Sequence, residues 1–261
     1  MSDDPTETAD QKPAAAPRKR KPKPVAEIVP PVTRPRWRIV LAFALLWVRR
    51  GLVGVAGFYA LLILLFSFLP PPINLYQISE AWRLGGIDKD WVSWDEIAPV
   101  MGRSAVAAED ANFCNHWGFD MAAIRLAIAE GSNRGASTIS QQLVKNVFLW
   151  HGRSWLRKAM EGVLTPVVEL VWSKQRMLEV YLNVAEFDEG VFGVQAAAQH
   201  HFGVDAKDLT ALQAARLAAV LPDPKGRSAV DPSSFVRERT RSIISGAETI
   251  AADGRSACFE G

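Results

Sequence analysis

Residues 137–149, Ser-Thr-Ile-Ser-Gln-Gln-Leu-Val-Lys-Asn-Val-Phe-Leu, predict an amphipathic helix that begins with Ser137 as its N-cap. Apolar residues at helical spacing supply the buried face: Ile139, Leu143 and Val147. Polar residues at positions i, i+4 and i+7 form a second stripe: Thr138, Gln142 and Lys145. Packing alone would not require these polar residues, so the helix is a candidate wall of a functional site.

The rest of the chain after about Asp88 is also predicted to be helical. Thr210 and Gln213 form a capping box before an apolar run, and Pro222 ends that run. Ser173 is placed to cap a further helix. Alternating strand patterns are scarce, apart from one short candidate near residues 91–94. We therefore predict a mainly α domain.

The composition excludes several classes of protein. The 261 residues are 49% hydrophobic and 22% charged, which is typical of a globular domain with one additional apolar segment. The net charge of +2 is too small to indicate a nucleic-acid partner.

The two cysteines are far apart in the sequence, and no cysteine/histidine cluster has zinc-ligand spacing, so no metal ligands are predicted. An oxidising compartment would allow Cys114 and Cys258 to form a disulfide. We nevertheless expect Cys114 to be a small buried residue and Cys258 to lie unpaired in the tail.

The amino-terminal third predicts an arm and a membrane anchor. Residues 1–36 contain eight prolines and a basic run, which indicates a disordered arm. Residues 37–70 are the predicted anchor, with a transmembrane helix over 51–69 because these residues carry no charge. The weaker apolar stretch 39–48 would extend this helix or lie flat on the membrane. Residues 71–261 would then form the extracytoplasmic domain.

The arginines around the anchor predict its orientation. Five arginines occupy the twenty positions before Gly51, whereas only Arg83 and Lys89 are basic in the twenty positions after Leu69. The positive-inside rule then places the amino terminus in the cytoplasm. The predicted location is the bacterial inner membrane, spanned once, with the catalytic domain in the periplasm.

Two further stretches place polar residues together. Glu109, Phe113 and His116 have the i, i+4, i+7 spacing of one helical stripe, with Asp110 beside them. The other stretch gathers cations around one carboxylate: Arg153, Arg157, Lys158 and Glu161. Each stretch taken alone fits a solvated helix face. Together they fit a carboxylate that acts as general base and cations that stabilise a phosphate leaving group.

Five blocks between residues 105 and 224 resemble, in order, the motifs of peptidoglycan glycosyltransferases. This family comprises the polymerase domains of class A penicillin-binding proteins and the monofunctional biosynthetic transglycosylases. The blocks are residues 109–118 (EDANFCNHWG), 135–146 (GASTISQQLVKN), 157–161 (RKAME), 181–202 and 215–224. Residues 152–155 and 190–194 resemble the monofunctional Gram-negative subgroup. Asp188 departs from the glycine that relatives often carry there.

The resemblance implies a lysozyme-like fold with a small jaw lobe near the membrane. Residues 119–135 would lie near this jaw, where Met121, Ile124 and Leu126 would touch lipid. The implied substrates are lipid II and the growing lipid-linked glycan, joined by β-1,4 bonds with inversion and release of undecaprenyl pyrophosphate. The partners are the inner membrane and, as an open question, other cell-wall synthases.

The resemblance also implies roles for the site residues. Glu109 would be the general base, and Glu161 would orient the cations or share a divalent ion (Mg or Mn) with the pyrophosphate; no cofactor is obligatory. The implied substrate-binding residues are Asp110, Phe113, His116, Thr138, Gln142, Lys145, Asn146, Arg153 and Arg157. No SxxK or KTG triplet occurs, so no transpeptidase activity is expected. A lysozyme-like hydrolase and a non-catalytic scaffold remain as rival classes.

Overall fold

The computed structural model describes residues 36–129 and 137–260. The predicted arm lies outside this part of the chain, apart from the backbone of Arg36. Helix α1, Arg36–Phe66, begins where the arm was expected to end and continues without a break through residues 39–48. By length and composition it could cross a membrane. Contacts divide the chain into one unit up to Arg50 and a second from Gly51 onward.

The second unit is mainly helical, as the sequence predicted. Its α-helices that follow α1 are, in chain order, α2 (Leu75–Leu84), α3 (Pro99–Glu109), α4 (Met121–Ala129), α5 (Ile139–Phe148), α6 (Trp155–Val171), α7 (Lys174–Val184), α8 (Val194–Phe202), α9 (Ala211–Val220), α10 (Ser234–Ala252) and α11 (Ala257–Glu260). Short 3₁₀ turns occupy Trp94–Glu96, Phe113–Asn115 and Ala206–Asp208.

A small sheet completes the second unit. Its strands are β1 (Asp88–Lys89), β2 (Glu186–Asp188) and β3 (Val191–Phe192), with β3 in the centre. Strand β1 is parallel to β3, and β2 is antiparallel to it. The predicted strand near residues 91–94 is therefore displaced: Trp94 instead begins a 3₁₀ turn.

Two groups of helices form the core. Helices α3, α9 and α10 pack together, and α5 packs on both α6 and α7. Helix α9 can approach its neighbours closely because four of its buried residues are alanines. Gly246 lets α10 approach α3, since a Cβ at this position would lie 3.1 Å from Cβ of Ala107. The first of these groups places the end of α3 beside α10.

Two of the three helix N-caps predicted from the sequence are confirmed. Thr210 and Ser173 cap α9 and α7 as predicted, with Gln213 completing the capping box of α9. The cap of α5 is Thr138 and not Ser137, so that prediction was wrong by one residue. Thr138 also donates its hydroxyl to the carbonyl of Gly118 at 2.6 Å, a long-range contact that Ser137 does not make.

Cys114 and Cys258 form a disulfide, with their Cα atoms 5.7 Å apart. The expectation that both would be unpaired was therefore wrong. The tail is not loose, because Phe259 of α11 is buried and its ring lies 6.4 Å from that of Phe113. This packing holds Cys258 against the turn that contains Cys114.

Candidate active site

Glu109 lies at the C-terminal end of α3, where three other helices meet it. Gln142 on α5 donates from Nε2 to Oε2 of Glu109 at 2.9 Å. Arg239 on α10 donates to Oε1 at 3.3 Å and to the backbone carbonyl of Ala108 at 3.1 Å. Tyr181 on α7 donates its hydroxyl to Oε1 of Gln142 at 3.3 Å. These contacts hold the carboxylate in one orientation.

The surroundings of Glu109 make it a stronger base than an exposed carboxylate. Burial raises the pKa of Glu109 above its ordinary value, and the neighbouring charge of Asp110 adds to the increase. The hydrogen bond from Gln142 and the charge of Arg239 act in the opposite direction. Desolvation is the largest of these effects.

Asp110 is buried and connects three segments of the site. Its Oδ2 accepts from the backbone N–H of Ile139 at 3.0 Å, the first residue of α5. Its Oδ1 lies 2.8 Å from Nε2 of His116. Because Nδ1 of His116 accepts from the backbone N–H of Gly118, Nε2 is the nitrogen that donates to Asp110. Asp110 therefore ties the end of α3 to the start of α5.

Glu109, Phe113 and His116 do not share one helical stripe, and that prediction was wrong. Helix α3 ends at Glu109, and Phe113 begins a separate 3₁₀ turn after three non-helical residues. Phe113 is fully buried, and Nζ of Lys174 lies 4.4 Å from the centroid of its ring. In the structure, His116 contacts Asp110, and Phe113 packs in the core beside His116 and Phe259.

Lys145 lines a cavity of about 210 Å³ that also includes Gln142, the residue that donates to Glu109. Gln142, Asn146, Tyr76 and His151 also face this cavity. Burial lowers the pKa of Lys145, the negative charge of Glu161 opposes that effect, and the charge of Arg157 adds to it. Within the described residues, the buried Oδ1 of Asn146 finds no hydrogen-bond donor. The cavity thus presents an amine and an amide that a polar ligand could engage.

The second carboxylate, Glu161 on α6, is buried and enclosed by cations. Arg157 donates from Nη1 to Oε2 of Glu161 at 2.7 Å. Lys158 pairs with the other oxygen, Oε1. Arg157 is fixed further by donation from Nε to the backbone carbonyl of Gly152 at 3.0 Å. Both oxygens of Glu161 thus already face a cation, which fits an orienting role.

Two predicted site residues occupy other environments. Thr138 is buried as the cap of α5, and its hydroxyl is committed to the backbone of Gly118. Arg153 is exposed in the segment before α6 and forms no hydrogen bond or ion pair with the residues that the structure describes. The structure thus brings together Glu109 and Gln142, and separately Arg157 and Glu161. The charges of both Glu109 and Glu161 raise the pKa of Lys145, so this amine interacts with both pairs.

Sequence reasoning missed several residues at the cavity. Tyr76 donates its hydroxyl to Oε2 of Glu186 at 2.6 Å, and the pKa of Tyr76 is raised to about 12 by burial and then by Glu186. Nζ of Lys225 lies 2.9 Å from Oε2 of Glu80. The Tyr76 and His151 rings stack with centroids 3.8 Å apart. Of these, Glu186 lies inside the motif block 181–202, and Lys225 directly follows the block 215–224.

His151 faces the cavity on one side and solvent on the other. The pKa of His151 is lowered to about 4 by desolvation of its ring and then by the charges of Lys145 and Arg157. The imidazole is therefore neutral near pH 7. It adds a hydrogen-bonding group beside the cations without adding positive charge.

Comparisons with known proteins place these residues in context. A family model described as "Transglycosylase" matches residues 77–248, which include all five motif blocks. A biosynthetic peptidoglycan transglycosylase of Jannaschia sp. (strain CCS1) is 62% identical over 213 residues, covering 82% of this chain and 89% of the relative. One of Cronobacter sakazakii is 48% identical over 216 residues, covering 78% of this chain and 90% of the relative. One of Stutzerimonas stutzeri is 48% identical over 205 residues, covering 75% and 85%.

Proposed function

Because the chain belongs to the transglycosylase family, we propose that it polymerises lipid II into β-1,4-linked glycan strands and releases undecaprenyl pyrophosphate. The observation that carries this proposal is a largely buried carboxylate of raised pKa, Glu109, whose charge acts on Lys145 of α5, the same amine that the charges of Glu161 and Arg157 on α6 influence. The names of the relatives, biosynthetic peptidoglycan transglycosylases, supply the substrate class.

Glu109 is the general base of the proposed reaction. It removes the proton from the 4-hydroxyl of the acceptor sugar as that oxygen attacks the anomeric carbon of the donor. Attack opposite the leaving group converts the α-linked donor to a β-1,4 bond in a single inverting displacement. Gln142 and Arg239 hold the carboxylate in place, and substrate binding would replace one of these contacts.

The cations of α5 and α6 stabilise the leaving pyrophosphate. Lys145 faces the cavity, and Arg157 is oriented by Glu161 and by the backbone of Gly152. Exposed Arg153 can swing toward the phosphates from the segment before α6. Since both oxygens of Glu161 face cations, we assign Glu161 the role of orienting Arg157 and Lys158.

An apolar cavity beside α6 suits the lipid part of the substrate. It has a volume of about 520 Å³ and lies between the α1 residues after Gly51 and one face of α6, including Met160 and Val163. The same helix carries Arg157 and Lys158 in its first turn. A lipid-linked pyrophosphate could therefore contact α6 with both its charged and its apolar parts.

The proposal also covers the location of the enzyme in the cell and the absence of transpeptidase activity. Helix α1 would anchor the enzyme in the inner membrane with its amino terminus in the cytoplasm, as the arginine distribution indicates. The domain after residue 70 would then work in the periplasm. Without SxxK and KTG triplets, the chain would not crosslink peptides.

Incubation of the purified full chain with labelled lipid II in liposomes tests this function. We expect polymer from the unchanged chain and about 10²–10⁴-fold slower polymer formation by Glu109→Gln, which cannot accept the proton. A hydrolase would shorten added glycan strands instead of forming them. A scaffold would yield no polymer with either chain. A parallel reaction with a chelator tests the role of Glu161. Activity that depends on added Mg²⁺ or Mn²⁺ would favour a divalent ion shared by Glu161 and the pyrophosphate over the orienting role.

A further inference from the structure

A second cluster of ligating side chains lies at the outer end of the sheet. Asp188 is the last residue of β2, and His200 and His201 occupy the last turn of α8. Nε2 of His201 lies 3.7 Å from Oδ2 of Asp188, and Nε2 of His200 lies 3.9 Å from the same oxygen. The three ligating atoms all lie within 4.8 Å of one another.

His201 directs a buried, unpartnered nitrogen into this cluster. Its side chain is 3% exposed, and Nε2 has no hydrogen-bond partner among the described residues. Burial lowers the pKa of His201, opposed by Asp188 and by a hydrogen bond to the backbone carbonyl of Phe187. When the ring proton is on Nδ1, the unpartnered Nε2 presents a lone pair to this cluster.

The carboxylate of Asp188 presents a second lone pair at the same point. Its Oδ1 accepts from the backbone N–H of Glu189 at 2.7 Å, which leaves Oδ2 to face the two histidines. Two acceptors therefore face each other across 3.7 Å, with no donor between them in the described part of the chain. Such an arrangement is unfavourable for a buried group unless a cation completes it.

We propose that Asp188, His200 and His201 bind one divalent transition-metal ion of the Zn²⁺ class. Tetrahedral ligands of Zn²⁺ lie about 3.3 Å apart, so movements of roughly 1 Å or less by each side chain would close the site and leave one position for water. Two imidazoles and one carboxylate favour Zn²⁺, Co²⁺ or Ni²⁺ over Mg²⁺. The Phe187 carbonyl provides the outer-shell contact that metal-bound histidines commonly make.

Two further features support this site. The histidines lie at the C-terminal end of α8, where the helix dipole favours a cation. They are also neighbours in sequence whose rings meet edge to face, with centroids 4.9 Å apart, so both reach the same carboxylate. This spacing differs from the usual zinc motifs, which explains why the sequence predicted no metal ligands.

A bound ion would hold the end of α8 against the β2–β3 turn. The same turn carries Gly190, whose N–H donates to Oε1 of Glu186 at 3.1 Å. Glu186 in turn accepts from Tyr76 at the cavity. The ion would therefore stabilise one wall of the cavity without touching the reacting groups. This proposal does not depend on the proposed polymerase function.

Calorimetric titration of Zn²⁺ into the full chain tests the site. The protein is purified in detergent without a polyhistidine tag and is first treated with a chelator. We expect one Zn²⁺ per chain, a visible absorption band when Co²⁺ is used, and a rise in Tm of about 5 °C at saturating Zn²⁺. His200→Ala, His201→Ala and Asp188→Asn should each weaken Zn²⁺ binding at least tenfold.

Matched variants separate loss of the site from loss of the fold. His200 is half exposed, so His200→Ala should leave the circular dichroism spectrum unchanged. Asp188→Asn can donate its amide to Nε2 of His201, and should keep the fold while it abolishes binding. Asp208→Asn, an exposed acid after α8, should bind Zn²⁺ like the unchanged chain. Absence of micromolar Zn²⁺ binding, or binding that survives both His200→Ala and Asp188→Asn, would overturn the proposal.

Discussion

Arg239 donates to Oε1 of Glu109 at 3.3 Å across 130 positions of the chain. The contact brings a cation to the carboxylate that we assign as general base. The positive charge of Arg239 lowers the pKa of Glu109, against the stronger raising effect of burial. Arg239 also donates to the carbonyl of Ala108, so it fixes the end of α3 as well as the side chain of Glu109.

Substitution of Arg239 should therefore change the pH dependence of the reaction. Without its charge, the pKa of Glu109 rises further, and the base is ionised only at higher pH. We expect Arg239→Ala to shift the acidic limb of kcat/KM to higher pH and to reduce the rate at neutral pH about tenfold. Arg239→Lys should shift the limb less. Arg241→Ala, on the exposed side of α10, is the control, and an unmoved limb in Arg239→Ala would refute this role.

The two carboxylates should respond differently to amide substitution. Glu109→Gln keeps the size and hydrogen bonding of the side chain but cannot accept a proton, so turnover should fall by about 10²–10⁴-fold. Binding of moenomycin, a phosphoglycolipid similar to the donor end, should persist. Glu161→Gln removes the charge that orients Arg157 and Lys158, so moenomycin binding should weaken. Near-normal turnover in Glu109→Gln, with Glu161→Gln inactive but still binding, would invert the assignment.

Loss of the disulfide should destabilise the domain. Cys114 and Cys258 close a loop with a sequence separation of 144, so the bond restricts the unfolded chain strongly. We expect Cys258→Ser to lower the free energy of unfolding by about 2–4 kcal/mol. Thermal unfolding with and without a reducing agent measures the effect. The reducing agent should lower the Tm of the unchanged chain but not that of the variant, and equal responses would show that the bond does not form.

The orientation of the anchor can be measured with reporter fusions. A reporter that is active only in the periplasm should work when fused after Gly261 and should fail when fused at Pro24. The physical reason is the excess of arginines before Gly51. A reporter active only in the cytoplasm serves as the control and should give the reverse pattern. If both reporters contradict these expectations, the substrate would lie on the other side of the membrane from the site.

Response to inhibitors distinguishes polymerisation from crosslinking. The chain lacks the SxxK serine that penicillins acylate, so a labelled penicillin should leave no covalent label. Moenomycin should bind and should stop polymer formation. A class A penicillin-binding protein labelled under the same conditions is the positive control. Covalent labelling of this chain at any residue would contradict the proposed range of activity.

Some features could be predicted from the sequence because they depend on neighbours within about one helical turn. The capping box of Thr210 and Gln213 and the cap at Ser173 are interactions over three residues, and both were confirmed. The apolar run of α1 and the motif blocks are equally local.

Other features depended on which helices pack together. The choice of Thr138 over Ser137 as the cap of α5 accompanies its contact with Gly118, and the disulfide depends on packing of α11 against the turn at Phe113. Tyr76 and Glu186 meet across 110 positions. Local sequence carries no signal for such contacts, because their free energy arises only when distant segments are already in place.

The sequence by itself thus determined the helical class and an apolar helix long enough to cross a membrane, and it predicted the two carboxylates that we propose for the site. Tertiary structure decided what surrounds each carboxylate: Gln142 and Arg239 at Glu109, and a closed pair of cations at Glu161. It also brought Asp188 to the histidines of α8. Helix periodicity and capping are set by interactions along the chain, whereas the pKa and partners of a buried group are set by desolvation and by charges from other helices.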